Sequence, residues 1–319
     1  MYENVKEIEK KFEMKEFPLN VIVEVGNHCN LNCTTCINDK LTRKKGFMDI
    51  FLYKKIIDEI ADNNVYCRVW LDFYGEPLLV KYKLYYMIDY AKKKGLKNIN
   101  INTNGTLINK EMAEMLLDSG IDFISIDVDG FSNEKIRIGA DRDVLYDNIE
   151  YLLKRKAERG LKTPIIEVKA MEMDENRDEL DKIVEYWRAR GAWTTVRRLI
   201  SWGGQHEGIT HEKTDERYAC GHAVGVCAIT WDGDVVTCAM DADGRTVYGN
   251  INNQSIRQVW KERNEKMVCK HLEHKWDELP EVCKHCTDWT IVGEQRFDEN
   301  GNAAKRNYDD KAMMQNSNN

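Results

Sequence analysis

No stretch of this 319-residue chain approaches the ~18 apolar residues that a membrane span needs. The first twenty residues hold no apolar segment of the kind a secretory signal requires, so the chain reads as cytoplasmic. Basic residues are not in excess: 47 Lys and Arg face 54 Asp and Glu, a formal charge of -7. That balance argues against non-specific nucleic-acid binding, while leaving room for a local basic patch. Low-complexity tracts and long internal repeats are also missing. Prolines number four, whereas cysteines number ten. Disulfides are rare in a cytosolic chain, so clustered cysteines point to metal or redox chemistry. With 42% hydrophobic and 32% charged residues, a buried core is readily supplied and wholesale disorder is excluded. The length suits one large α/β domain with a small one appended.

Strand-then-helix patterning begins at residue 20 and repeats. Strands are expected at Asn20–Val25, Tyr66–Phe73, Asn98–Asn102, Phe123–Val128, Ile165–Met171 and Trp193–Ile200. Helices are expected near Asp49–Asn63, Lys81–Lys94, from Asn109 onward, Val144–Arg159 and Asp178–Arg190. Six strands alternating with helices argue for a parallel sheet, since each parallel connection needs a crossover. Gly95, Gly120, Gly160 and Gly191 suit helix C-caps. The pattern stops near Gly203-Gly204, short of the eight units of a closed barrel. The expected fold is therefore α/β, a partial (β/α)6 TIM-type barrel over residues 20–204. An amphipathic N-terminal helix falls within residues 1–19. A polar linker at 205–218 leads to a small α+β cysteine-rich domain at 219–290, and 291–319 is a polar tail.

Directly after the first strand comes Cys29-Asn-Leu-Asn-Cys33-Thr-Thr-Cys36, a CxxxCxxC triplet in a loop. Three thiolates at this spacing can ligate three irons of a cubane [4Fe–4S] cluster and leave the fourth iron open to a small molecule. Structural zinc wants a fourth ligand, and His28, adjacent to Cys29, has poor spacing for one. The triplet also stands at the C-terminal edge of a strand, where β/α barrels carry their active sites.

This triplet resembles the signature of the radical S-adenosylmethionine (SAM) superfamily. The resemblance implies that the open iron chelates the amino and carboxylate groups of SAM. Reductive cleavage then yields a 5′-deoxyadenosyl radical that abstracts a carbon-bound hydrogen. Tyr74-Gly75-Glu76-Pro77 is similar to the family's GGEP motif, with Tyr in the first Gly position, and implies a grip on the methionine amino group. Asn102-Thr103-Asn104-Gly105-Thr106 is similar to the NTNGT of many relatives. Ile126-Asp127-Val128-Asp129-Gly130 stands where relatives carry Ser-Ile-Asp-Gly, which implies that Asp127 meets the SAM ribose; Asp127 and Asp129 also read as ordinary turn residues. Arg137 or Arg142 is a candidate partner for the SAM carboxylate, Arg137 being preferred.

A second cysteine set begins with Cys220 and Cys238. They flank Ile229–Thr237, whose Asp232-Gly233 signals a hairpin that draws its ends together. With Cys283-Lys-His-Cys286 this makes four ligands, suited by chemistry alone to tetrahedral zinc or to a fully ligated [4Fe–4S] cluster. The block resembles the Twitch domain, a shortened relative of SPASM, and that resemblance favours one auxiliary [4Fe–4S] cluster. Cys227 is open to three readings: an alternative ligand, a buried thiol, or a hydrogen-atom donor to a substrate radical. Cys67 and Cys269 face the same choice between burial and hydrogen donation. His271 and His274, at i and i+3, have a spacing that suits a metal, but on a charged helix they read rather as solvated. The Arg197-Arg198 pair at the end of strand six reads either as a hold for an anionic substrate group or as a solvated pair.

The features together resemble the aminocyclitol dehydrogenases among radical SAM enzymes. They imply an oxygen-sensitive oxidoreductase, a dehydrogenase or epimerase, acting on a small sugar-like molecule. A flavodoxin or ferredoxin is the implied electron donor. Modification of a short ribosomal peptide is the alternative. Only about twenty residues precede strand one, against the ~80 of a leader-binding domain, which weighs against it. A nucleotide or nucleobase substrate and a non-catalytic zinc-binding module are the remaining alternatives.

Overall fold

The computed structural model describes residues 12, 14–206 and 217–290. Six parallel strands form the body: β1 (Asn20–Val23), β2 (Arg68–Trp70), β3 (Ile99–Thr103), β4 (Phe123–Asp127), β5 (Ile165–Glu172) and β6 (Trp193–Arg198). They lie side by side in chain order, every neighbouring pair parallel. The connecting helices are α1 (Ile50–Asn63), α2 (Tyr82–Lys93), α3 (Lys110–Asp118), α4 (Arg142–Glu158) and α5 (Leu180–Arg188). Asp49, Asn109 and Asp141 cap α1, α3 and α4 by accepting from the backbone of the first turn. The sheet does not close on itself among the described residues, so the barrel is partial, as its sequence implies.

Strand periodicity sorts the residues into two layers. Ile99, Ile101, Ile124, Ile126, Ile166 and Val168 join the apolar core. The alternate residues Asn100, Asn102, Ser125, Asp127, Glu167 and Lys169 take the other face, toward the barrel interior. That interior is hydrogen-bonded: buried Glu167 accepts from Ser125 Oγ at 2.5 Å and from Thr195 Oγ1 at 2.8 Å. An open barrel can carry such a lining because each polar group finds a partner.

The cysteine-rich segment is not a separate layer. A short helix α6 (Gly221–Gly225) leads into β7 (Val226–Ile229), which pairs parallel with β1, Asn20 standing opposite Val226. β8 (Asp234–Val236) and β9 (Val247–Asn250) follow antiparallel, and α7 (Ile256–Arg263) packs behind them. One nine-stranded sheet thus runs β9-β8-β7-β1-β2-β3-β4-β5-β6. The expected hairpin is β7–β8, but it extends the barrel sheet instead of standing alone. A buried ion pair reinforces the seam: Arg43 holds Glu24 through Nη1 and Nη2 and donates from Nε to Ala242 O at 2.5 Å. Glu24 also accepts from Trp231 N at 3.0 Å.

The second strand is shorter than its sequence pattern. Cys67 N turns back to Asn64 O, and the Asp72 carboxylate, not a backbone carbonyl, receives Asn102 N. Of the expected polar linker, Arg217 and Tyr218 are packed, Tyr218 being buried against Trp289. Residues 207–216, most of the expected N-terminal helix and the tail 291–319 lie outside the described residues.

Candidate active site and auxiliary cavity

At the C-terminal ends of the barrel strands lies an open cavity, about 1370 Å³ with the solvent at its mouth included. Cys29, Cys33 and Cys36 line it from the loop after β1. Several contacts shape that loop. Thr34 N donates to Ile136 O at 2.8 Å, and a two-residue antiparallel ladder sets Cys33 opposite Arg137. Glu76 N donates to His28 O at 2.8 Å, joining the loop to the Tyr74–Pro77 turn. Gly75 is required there, because a Cβ would stand 2.2 Å from Gly26 O.

Burial raises the pKa of all three thiols, Cys33 to about 12 with Arg137 opposing the shift. Such thiols give up their protons when cationic iron binds. Among the described residues, no three His, Cys, Asp or Glu side chains gather on a point as a single metal ion requires. The three thiols line a large cavity together, and three thiolates suit a cluster with an open corner.

The remaining site residues converge on the same cavity. Tyr74, Gly75, Glu76, Asn102, Asp127 and Arg137 all line it, and Pro77 starts the 3-10 turn Pro77–Val80 beside it. Glu76 is buried, which pushes its pKa to about 7. Its carboxylate accepts from Asn104 N at 2.8 Å, Leu78 N at 2.9 Å and Thr103 Oγ1 at 2.7 Å. Burial would raise Asp127 as well, but Lys169 and Arg137 outweigh it and hold the carboxyl below the usual range. Lys169 Nζ stands 2.8 Å from Asp127 Oδ1 and donates to Asn102 Oδ1 at 2.6 Å.

Arg137 is buried and already engaged, 2.8 Å from Asp129 and 3.5 Å from Asp127. Its charge also opposes the burial shift of Cys33, across the ladder from it. Arg142 pairs instead with the adjacent Asp143 and is absent from the lining. Arg197 and Arg198 both line the cavity. Sequence reasoning passed over Lys169, Trp202, His222 and Asp288, which also line it. Lys169 had a signal, its place on the inward register of β5 two residues after Glu167. Trp202 takes a positive φ of 51° and donates from Nε1 to Thr35 O at 2.7 Å.

Tyr74, the departure from the motif, spans the two cysteine sets. Its ring packs on Trp202 with centroids 5.3 Å apart, and its hydroxyl donates to Ala239 O, beside Cys238, at 2.9 Å. The Tyr74 carbonyl accepts from Asn38 Nδ2.

A second, tighter cavity, about 390 Å³ with the open solvent beside it included, is lined by Cys220, Cys238, Cys283 and Cys286. Burial raises all four thiols, Cys238 to about 12. Four thiols lining one cavity suit a fully ligated cluster. Cys227 lines neither cavity. It is fully buried on β7 within the main core, so a hydrogen-donor role loses its footing: a thiol there has no path to a substrate radical. Cys67 is buried in the same core, and Cys269, half-buried, contacts Met14 Sδ at 3.7 Å. His271 corrects an expectation: it is buried on the wall of the second cavity, and burial lowers its pKa to about 4. His274 stacks on Trp276.

Two cavities of this composition on an open β/α barrel define an enzyme built around iron–sulfur clusters. The chain belongs to the radical SAM superfamily: residues 23–190 match the Radical SAM superfamily model, and residues 220–287 match SPASM, an iron–sulfur cluster-binding domain. It therefore carries a SAM-binding [4Fe–4S] cluster, SAM, and auxiliary iron–sulfur chemistry. The S-adenosyl-L-methionine-dependent 2-deoxy-scyllo-inosamine dehydrogenase of Niallia circulans is 24% identical over 302 residues, 91% of this chain and 99% of that one. Two other curated relatives are matched over less than half of their length, 46% and 38%. By fold, the chain is similar to BtrN in complex with AdoMet and 2-DOIA, with a TM-score of 0.61, 20% identity and coverage of 86% and 94%. It is also similar to Streptococcus suis SuiB bound to the precursor peptide SuiA, with a TM-score of 0.63, 15% identity and coverage of 81% and 67%. No helix among the described residues is long and apolar enough to cross a membrane.

Proposed function

We propose that this radical SAM enzyme oxidises a small sugar-like or aminocyclitol substrate at a carbon that bears a hydroxyl or an amine. The carrying observation is that His222, Met240 and Asp288 line both cavities and form their common wall. Bound in these sites, SAM and the first cluster supply a hydrogen-abstracting radical, and the auxiliary cluster supplies a one-electron acceptor. Oxidation of an alcohol to a ketone removes one hydrogen atom, then one electron and one proton. A thin shared wall gives that electron a short exit, which epimerisation would not need.

The chain's own residues divide the binding work. Cys29, Cys33 and Cys36 hold the first cluster, and Cys220, Cys238, Cys283 and Cys286 hold the second. Glu76 receives the SAM ammonium, whose charge suits a carboxylate with few cations near it. Asp127, kept ionised by Lys169, accepts from the ribose hydroxyls. A flavodoxin or ferredoxin supplies the initiating electron. The 24% identity to the dehydrogenase along nearly its whole length supports the small-molecule reading. The likeness of fold to SuiB supports a precursor peptide as the second reading.

The test is deuterium transfer into 5′-deoxyadenosine from carbon-deuterated aminocyclitols, sugars and peptides offered to the anaerobically reconstituted enzyme. Transfer from an aminocyclitol with formation of a ketone is expected. Transfer only from peptides, or return of solvent hydrogen to the same carbon without net oxidation, sinks the proposal.

A further inference from the structure

The auxiliary cavity carries two buried nitrogen donors that nothing among the described residues satisfies. His271 is buried, lines the cavity, and has neither ring nitrogen hydrogen-bonded. Arg217 lines the same cavity, and its Nε is buried and without a partner. Arg217 is otherwise firmly held: Nη2 donates to Cys283 O at 2.6 Å, and the guanidinium lies 4.9 Å from the Trp276 ring centre. His271 meets Trp276 edge-on at 6.1 Å. Trp276 thus fixes both groups. Buried donors in native proteins nearly always have an acceptor, so these two point to one that occupies the cavity.

We propose that Arg217, from Nε, and His271, from a ring N–H, donate hydrogen bonds to the sulfur atoms of the auxiliary cluster and thereby raise its reduction potential. The inference rests on the reading that the four thiols of this cavity carry a cluster. Four thiolates make such a cluster anionic, and reduction adds one more negative charge. Hydrogen bonds to its sulfurs and a nearby guanidinium stabilise the reduced form more than the oxidised one, which makes the cluster a better electron acceptor. Both are positioning residues, since neither touches the substrate.

The experiment isolates this cluster in the full chain carrying C29A, C33A and C36A. After anaerobic reconstitution, iron and sulfide are counted, and the midpoint potential is read from a dithionite titration followed by electron paramagnetic resonance. Arg217→Gln and His271→Leu are each expected to retain four irons and to cut the reduced-to-oxidised ratio at fixed poise at least tenfold, 59 mV for a one-electron couple. Arg217→Lys, which keeps the charge, recovers part of that loss. In the parent protein, pulsed resonance in H2O and D2O is expected to detect exchangeable protons coupled to the reduced cluster. This second readout stands even where a variant fails to fold. Unchanged potentials with iron retained, or no exchangeable coupling in the parent, overturn the proposal. Failure of the triple variant to hold any iron and sulfide overturns the cluster reading itself, a distinguishable result.

Discussion

Glu76 collects three hydrogen bonds in a buried position, yet burial still lifts its pKa to about 7. A carboxyl raised above its unfolded value near 4.5 holds more protons in the folded chain than in the unfolded one. Stability of the metal-free fold therefore falls as pH rises from about 4.5 through 7. Glu76→Gln should flatten that stretch of the stability profile, read as urea midpoints between pH 5 and 8. An ammonium docked beside Glu76 reverses the bias, so SAM affinity should rise across pH 7 in the parent and not in the variant. Cys227 supplies the opposite kind of test. Cys227→Ala is expected to keep deuterium transfer intact and to cost about 1–2 kcal/mol of stability through lost packing. Loss of turnover with full iron content would return that thiol to the chemistry.

Among the elements, the seam between barrel and auxiliary strands depends on a few side chains from both. Arg43→Ala leaves the Glu24 carboxylate buried without its partner and should cost about 3–5 kcal/mol, measured by denaturant unfolding. Tyr74→Phe removes one hydrogen bond to Ala239 and should cost about 1 kcal/mol, with faster amide exchange confined to residues near 238–240. The barrel elements were legible in the sequence because their signals are local: apolar alternation, Asn and Asp caps, glycine after four of the five helices. The thiol triplet was legible because its ligands lie within eight residues. What escaped depends on distant register. Nothing local tells that Val226 will stand opposite Asn20, that Arg217 will turn from a polar linker into a cavity wall, or that His271 points inward from a charged helix. Asp288, two residues past the last cysteine, carries no local signal. Yet its oxygens receive Ser201 N at 2.6 Å and Gly203 N at 3.0 Å, tying the end of the barrel to the wall of both cavities.

For the molecule as a whole, β1 is an interior strand of a nine-stranded sheet, not its edge. A chain ended after residue 204 would bare the β1 ladder and the apolar faces that β7 covers. Such an exposed edge invites pairing between chains. That truncation should aggregate, whereas a self-contained barrel would remain monodisperse by light scattering. The same pairing also sets a clock on biosynthesis. β1 leaves the ribosome about two hundred residues before β7, so the barrel holds an unfinished edge until β7 has been made. Chaperone protection belongs to that interval. The first cavity, too, is complete only when His222, Met240 and Asp288 have joined its lining.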